Sequence, residues 1–316
     1  MGAGRPPGYT HDEAQAQGGS GSLQRRDRCA LRSTALKLPS EGKTAEVLSG
    51  VKAVSLAVNL PGPLAAARLA ELGALVTKVE PPAGDPLASA APQWYSKLIK
   101  DQQVITLDLR TPDGRAEVDD LLEGTDLLIT SMRPSSLKRL NLDTPQRRFP
   151  RLSLVEIVGH DGELAETPGH DLNYQADKGI LHPPNMPKVP IADLLGAERA
   201  VSMALAAVFS CSRDGVGRAY RISLADAAER AGDAVAYGLM GEGALLGGAF
   251  PGYRIYPCAD GYVALGAIEP HFYKRVLDTF NVAESHAAIE TAFRGKTVSE
   301  LERIAGQQDI PLNGVR

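Results

Sequence analysis

The sequence predicts a doubly wound α/β sheet followed by a smaller mixed α+β domain. Three observations lead there. Between residues 51 and 158, short β-branched apolar runs alternate with Ala/Leu-rich helical stretches, the grammar of parallel βαβ units. From about residue 245 the grammar changes to a hairpin signal and then short amphipathic helices. The 316 residues, 43% hydrophobic and 23% charged, suffice to bury a sizeable core without disulfides or a structural metal.

Val51–Val58 reads as the first strand, Asn59-Leu60-Pro61-Gly62-Pro63 as a turn and Leu64–Leu72 as a helix stopped by Gly73. Leu75–Val79 completes the first parallel unit. The pattern recurs with a strand at Val104–Leu109, a helix opened by Thr111-Pro112-Asp113 and running to Leu122, and strands at Asp126–Thr130 and Leu152–Val158. Asp193–Cys211 is a long Ala/Leu/Val helix, Ala219–Leu224 a strand and Ala225–Ala236 a helix. Tyr253–Pro257 and Tyr262–Ala267 form the hairpin around Asp260-Gly261, with helices at about 271–280, 284–293 and 297–305. Residues 1–45, rich in Gly, Ser, Gln and Arg, show no period and read as a disordered tail. The expected organisation is a large domain over 46–244 and a small α+β domain over 245–316.

Charge narrows the function classes. The net charge is −4, but the first 43 residues carry +3, leaving −7 on the remainder. An acidic body without a basic stripe argues against nucleic acid as partner. No run of 18 apolar residues occurs, so no membrane span is expected. Cys29, Cys211 and Cys258 lie far apart with no metal-ligand spacing, which points to a reducing, cytoplasmic setting and to no bound metal. No GxGxxG follows the first strand, and GxxxxGK[ST], HExxH and GxSxG are absent.

The densest polar stretch follows the strand Leu152–Val158: Gly159-His160-Asp161-Gly162-Glu163, then Gly169-His170-Asp171-Leu172-Asn173-Tyr174. Loops at the carboxyl ends of strands hold the ligands of open α/β sheets. His170 and Asp171 offer a base near neutral pH beside a carboxylate, although the pattern by itself reads first as a helix start capped by Asp171 with His170 solvated. Asp193 heads the long helix, either as a site carboxylate or as its N-cap, and Glu269 ends a strand, either as a site residue or as a surface charge.

Six segments in register carry a resemblance: LPGPLAAARLAELGALVTKVEPPAGDP, VITLDLRTPDGRAEVDDLL, RPSSLKRLNL, PGHDLNYQADKGIL, VPIADLLG and YPCADGYVALGAIEPHFY. Over about residues 50–316 the chain resembles the class III CoA-transferase superfamily, and within it the racemase branch that acts on 2-methylacyl-CoA. The resemblance implies a Rossmann-like large domain and an enzyme of acyl-CoA and lipid metabolism. It implies a homodimer and no prosthetic group, with CoA arriving as part of the substrate. It implies His170 and Asp193 as bases on opposite faces of the substrate α-carbon, with Glu269 of the partner subunit supporting His170. In the transferase branch Asp171 would instead attack the thioester. The backbone N–H at the Asp171 position is an oxyanion donor in the racemases. CoA phosphates would meet Lys78, Lys100, Arg133 and Arg139, and Gly169 and Tyr174 would shape the CoA site. Where the family carries a basic pair this chain has Gln102-Gln103. Members also run on past the position of Arg316, so the chain is expected to be C-terminally shortened.

Overall fold

The computed structural model describes residues 46–316; the tail expected over 1–45 lies outside them. In chain order the strands and helices are β1 (Lys52–Ser55), α1 (Pro61–Glu71), β2 (Leu75–Glu80), α2 (Pro86–Ala90), α3 (Pro92–Leu98), β3 (Gln103–Thr106), α4 (Pro112–Leu122), β4 (Leu127–Thr130), α5 (Pro134–Arg139), β5 (Ser153–Val158) and α6 (Asp171–Asp177). They continue with α7 (Ile191–Asp214), β6 (Ala219–Ser223), α8 (Leu224–Ala236), β7 (Tyr253–Pro257), β8 (Tyr262–Gly266), α9 (Pro270–Phe280), α10 (His286–Arg294), α11 (Val298–Gln308) and β9 (Leu312–Gly314).

Six strands pair in parallel in the order β3-β2-β1-β4-β5-β6, so the Rossmann-like sheet is present. Its strands feed two cores by simple alternation. Ala53, Leu127, Ile129, Val155 and Ile157 face one side, where Ala65, Ala66 and Leu69 of α1 and the alanine row Ala192, Ala197, Ala200, Ala204 and Ala207 of α7 cover them. Val54, Leu128 and Leu154 face the other, against Val118 and Leu122 of α4 and Leu137 of α5. The smaller α+β region is an antiparallel sheet, β7-β8-β9, whose core joins Tyr256, Val263 and Leu265 to Tyr273, Phe293 and Leu301 of its helices. Strand β9 had no signal in the sequence.

Local chemistry explains most boundaries. Helices α1 to α5 and α9 each open on a proline, whose fixed φ suits the first turn and whose missing N–H costs nothing there. Thr111, Ser223, Ser285 and Thr297 cap their helices through side-chain oxygens. Helix α7 is long and apolar enough, by length and composition, to cross a membrane. Here its alanine row is packed against the sheet.

Candidate active site

Strand β5 delivers the polar stretch to the carboxyl end of the sheet. The ring of Tyr174, 2% exposed, lies against the backbone of Gly159 and Gly169. A Cβ at Gly159 would stand 2.3 Å from the Tyr174 oxygen, and one at Gly169 would stand 2.8 Å from a ring carbon, so both positions need glycine for close approach. His160 meets Tyr174 edge to face with centroids 5.2 Å apart. Arg221 donates to Glu156 at 3.1 Å and to Asp161 at 3.0 Å, tying the loop after β5 back to β6.

His170 sits at the N-cap of α6 with extended backbone, and its N–H donates to Asn173 Oδ1 at 3.0 Å. Its imidazole is exposed. Asp171 is the first helical residue of α6, not its cap as the helix-start reading had it, and its side chain serves another helix. Its Oδ1 accepts from the backbone N–H groups of Ala192 at 2.8 Å and Asp193 at 3.2 Å, while Oδ2 accepts from Gln175 Nε2 at 2.5 Å. Helix α7 starts at Ile191, two residues earlier than its apolar pattern indicates, after Pro190, which has no capping side chain. Asp171 therefore caps α7 from 22 residues upstream. Asp193 is not the cap but a residue of the first turn, mostly buried. Burial, with the negative charge of Asp171 beside it, pushes its carboxyl up to about 7. The phenol of Tyr174 is raised by burial and by the same two carboxylates. Asp171, Asp193 and Tyr174 thus lie together at the junction between α6 and α7, while His170 stands exposed at the N-cap of α6.

The predicted phosphate contacts scatter. Lys78 is fully buried: Nζ donates to Ala57 O at 3.1 Å and Asp85 Oδ2 at 2.8 Å, with Glu80 Oε1 at 3.3 Å. An ammonium enclosed by two carboxylates has no face left for a phosphate, which corrects that expectation. Lys100 lies three residues before β3, at the amino end of the parallel strands, away from the edge where the loops gather. Arg133 and Arg139 are exposed at the two ends of α5, where Glu166, held by Ser135 N–H at 2.8 Å and Ser135 Oγ at 2.9 Å, lies near both. Glu269 is exposed at the N-cap of α9, without a side-chain capping bond.

Sequence reasoning passed over a cavity of about 480 Å³ at the carboxyl ends of β1 to β4. It straddles the β1/β4 boundary, where the strand order reverses and ligands of such sheets bind. Glu80, Pro81, Leu107, Asp108, Arg110 and Met132 are among its walls. Asp85 holds two loops beside it, because Oδ1 accepts from Asn59 N–H at 3.0 Å and Leu87 N–H at 2.9 Å. The Gly84-Asp85-Pro86 string, an acidic cap before a proline, was the available signal for that helix start. No three His, Cys, Asp or Glu side chains gather as metal ligands among the described residues.

The chain is 29% identical over 256 residues to α-methylacyl-CoA racemase from Homo sapiens, covering 73% of this chain and 64% of that protein. It is 29% identical over 266 residues to succinate–glutarate CoA-transferase from Agrobacterium fabrum, covering 74% and 66%. The chain thus spans about two thirds of the length of these curated relatives. Among solved structures, a hypothetical protein from Mycobacterium tuberculosis superposes with a TM-score of 0.73 at 22% identity over 85% of each chain. A CAIB/BAIF family protein from Brucella suis gives 0.71 at 23%, over 85% of this chain and 84% of that one. Those two show the shared fold, and the sequence match covers nearly every described residue: with residues 48–316 matching its model, the chain belongs to CoA-transferase family III.

Proposed function

We propose that this protein is an acyl-CoA-processing enzyme that inverts the α-carbon of a 2-methylacyl-CoA through an enolate. One base takes the α-proton from one face, and the other returns a proton to the opposite face, so bonds broken and formed balance. His170 and Asp193 are those bases. The observation that carries the reading is the state of the two aspartates. Three donors occupy Asp171, the nucleophile a CoA-transferase would need, and hold it as a helix cap. Asp193, with its carboxyl pushed up to about 7, is poised to both accept and give a proton near neutral pH. Neither base removes a thioester α-proton unless the enolate is stabilised, and a preorganised donor contributes about 3–4 kcal/mol. The N–H of Asp171, in the first turn of α6 and without a backbone acceptor among the described residues, is the candidate donor.

The working unit is a homodimer in which Glu269 of the partner subunit supports His170. Phe209 on α7, 65% exposed, and Tyr237 after α8, 86% exposed, are apolar surface that a second copy would cover. Arg133 and Arg139 take the CoA phosphates. Cys211 and Cys258 are free thiols, in keeping with a reducing cytoplasm.

Incubation with 2-methylacyl-CoA in D2O, followed by mass spectrometry, tests the chemistry. The expected result is α-deuterium incorporation that falls about 10²–10⁴-fold in His170→Ala. No incorporation by a protein that still binds CoA overturns racemisation, and an Asp171–CoA adduct trapped by hydroxylamine would then establish the transferase. Absence of both CoA binding and exchange would mean a non-catalytic member of the family.

A further inference from the structure

Asp171 and Gln175 stand one turn apart on the same face of α6, and Gln175 is only 3% exposed. Its amide nitrogen carries two hydrogens and faces two acceptors, Asp171 Oδ2 at 2.5 Å and the Val189 carbonyl at 3.1 Å. Turned the other way, the amide would point its oxygen at both, so its orientation is fixed. Val189 stands two residues before α7 begins, so one side chain ties the loop entering α7 to the aspartate that caps it. Asp171 Oδ1 is already taken by two backbone donors, the N–H groups of Ala192 and Asp193. Oδ2 has one donor among the described residues, and it is Gln175.

Asp193 lies beside this carboxylate, with the Tyr174 phenol near both, and Asp171 is the one charged group that acts on Asp193 among the described residues. Two neighbouring carboxyl groups drawn out of water do not both ionise freely near neutrality. A proton between them belongs to the pair until something assigns it. Hydrogen-bond donors make that assignment, because a donor on an oxygen favours charge there and leaves the proton to the other group. Two of the donors on Asp171 are backbone amides that come with the start of α7; Gln175 is the side chain added to them. Resting on the reading that Asp193 exchanges a proton with the substrate α-carbon, we propose that Gln175 is a positioning residue: donating to Asp171 Oδ2 from an amide locked on the Val189 carbonyl, it keeps the negative charge on Asp171 and the shared proton on Asp193.

Gln175→Met, close in length and volume but without a donor, tests this. α-Hydrogen exchange from 2-methylacyl-CoA in D2O is followed against pH, with the urea midpoint alongside. In the variant Oδ2 is free to take the proton, so the two carboxyls share it. The acidic limb should move to higher pH by about 0.3 of a pH unit or more, the statistical value for equal sharing, and the plateau rate should fall about twofold or more. A loss of packing alone would lower the midpoint without moving the limb. A limb that stays in place in the folded variant overturns the proposal. A second measurement needs neither activity nor a change at Gln175: the carboxyl-carbon NMR resonances of wild-type protein labelled with 13C-aspartate, assigned through Asp171→Asn and Asp193→Asn. Asp193 alone of the pair should titrate near neutrality. A step of comparable size at Asp171 overturns the proposal even if Gln175→Met fails to fold. Exchange missing from the wild type while the resonances behave as expected would remove the racemisation reading and still support this placement of the proton.

Discussion

The two halves of the parallel sheet each bury a pair of carboxylates at the carboxyl ends of their strands, and the pairs have opposite characters. On the β1/β2 side, Asp85 and Glu80 enclose Lys78, and every element around them is tied in: the Ala57 carbonyl, the Asn59 amide, the α2 start and Tyr95 of α3. On the β5 side, Asp171 and Asp193 share no cation among the described residues; backbone and amide dipoles hold one, and the other is left to titrate near neutrality. The partners, whether a cation or fixed dipoles, and not the residue type, decide whether a buried aspartate is structure or chemistry. The first cluster fixes loops; the second holds a proton that can move.

The largest expected effect breaks the structural cluster. Lys78→Met leaves Asp85 and Glu80 buried without their cation and should lower the unfolding free energy by about 3–5 kcal/mol, read as a fall in the urea midpoint. An unchanged midpoint would show that the cluster is not a stabilising one.

The second prediction sharpens the contrast through pH. The Asp193 carboxyl is raised to about 7 in the folded chain, against about 3.9 unfolded. The folded state therefore holds this proton more tightly. The contribution is complete below about pH 4 and is lost as pH rises through about 7. Urea titrations between pH 4 and 8 should show the stability advantage of the wild type over Asp193→Asn shrinking across that window and levelling off above it. The change is on the order of 2 kcal/mol once partial solvent screening is allowed for. A difference that grows with pH would contradict a raised carboxyl.

The smallest effect separates the cap from its charge. Asp171→Asn keeps an acceptor for the α7 amides but removes the negative charge beside Asp193, so stability should fall by about 1 kcal/mol or less. The acidic limb of the pH–exchange profile should move to lower pH, because the Coulombic part of the Asp193 shift is lost while burial remains. A limb that stays in place would assign the shift to burial alone.

Much of the fold was legible because strands buried on both faces and helices opened by proline write strong local patterns. Residues 153–158 and 219–223 fell within a residue of their expected strands. Helices α2, α3 and α5 were missed as elements, being only five to seven residues long and too short to show a period. The site was legible in composition but not in wiring. His170, Asp171 and Asp193 were named from the sequence, yet no local signal shows an aspartate capping a helix 22 residues away. Lys78 was expected to meet a CoA phosphate, whereas its partners lie two and seven residues on, a spacing that only the turn into α2 brings together.

The strand order also dictates when the protein can become itself. No neighbouring pair in the parallel sheet can be closed by a tight turn: Leu154 meets Ala219 only 65 residues later, after the whole of α7. In the small sheet, Pro257 and Tyr262 are joined by a four-residue turn. Contacts so far apart in sequence must wait for loop closure, whereas the hairpin can close on its own. Assembly of the large sheet is therefore expected to be slower than closure of the hairpin, and to set the pace of folding.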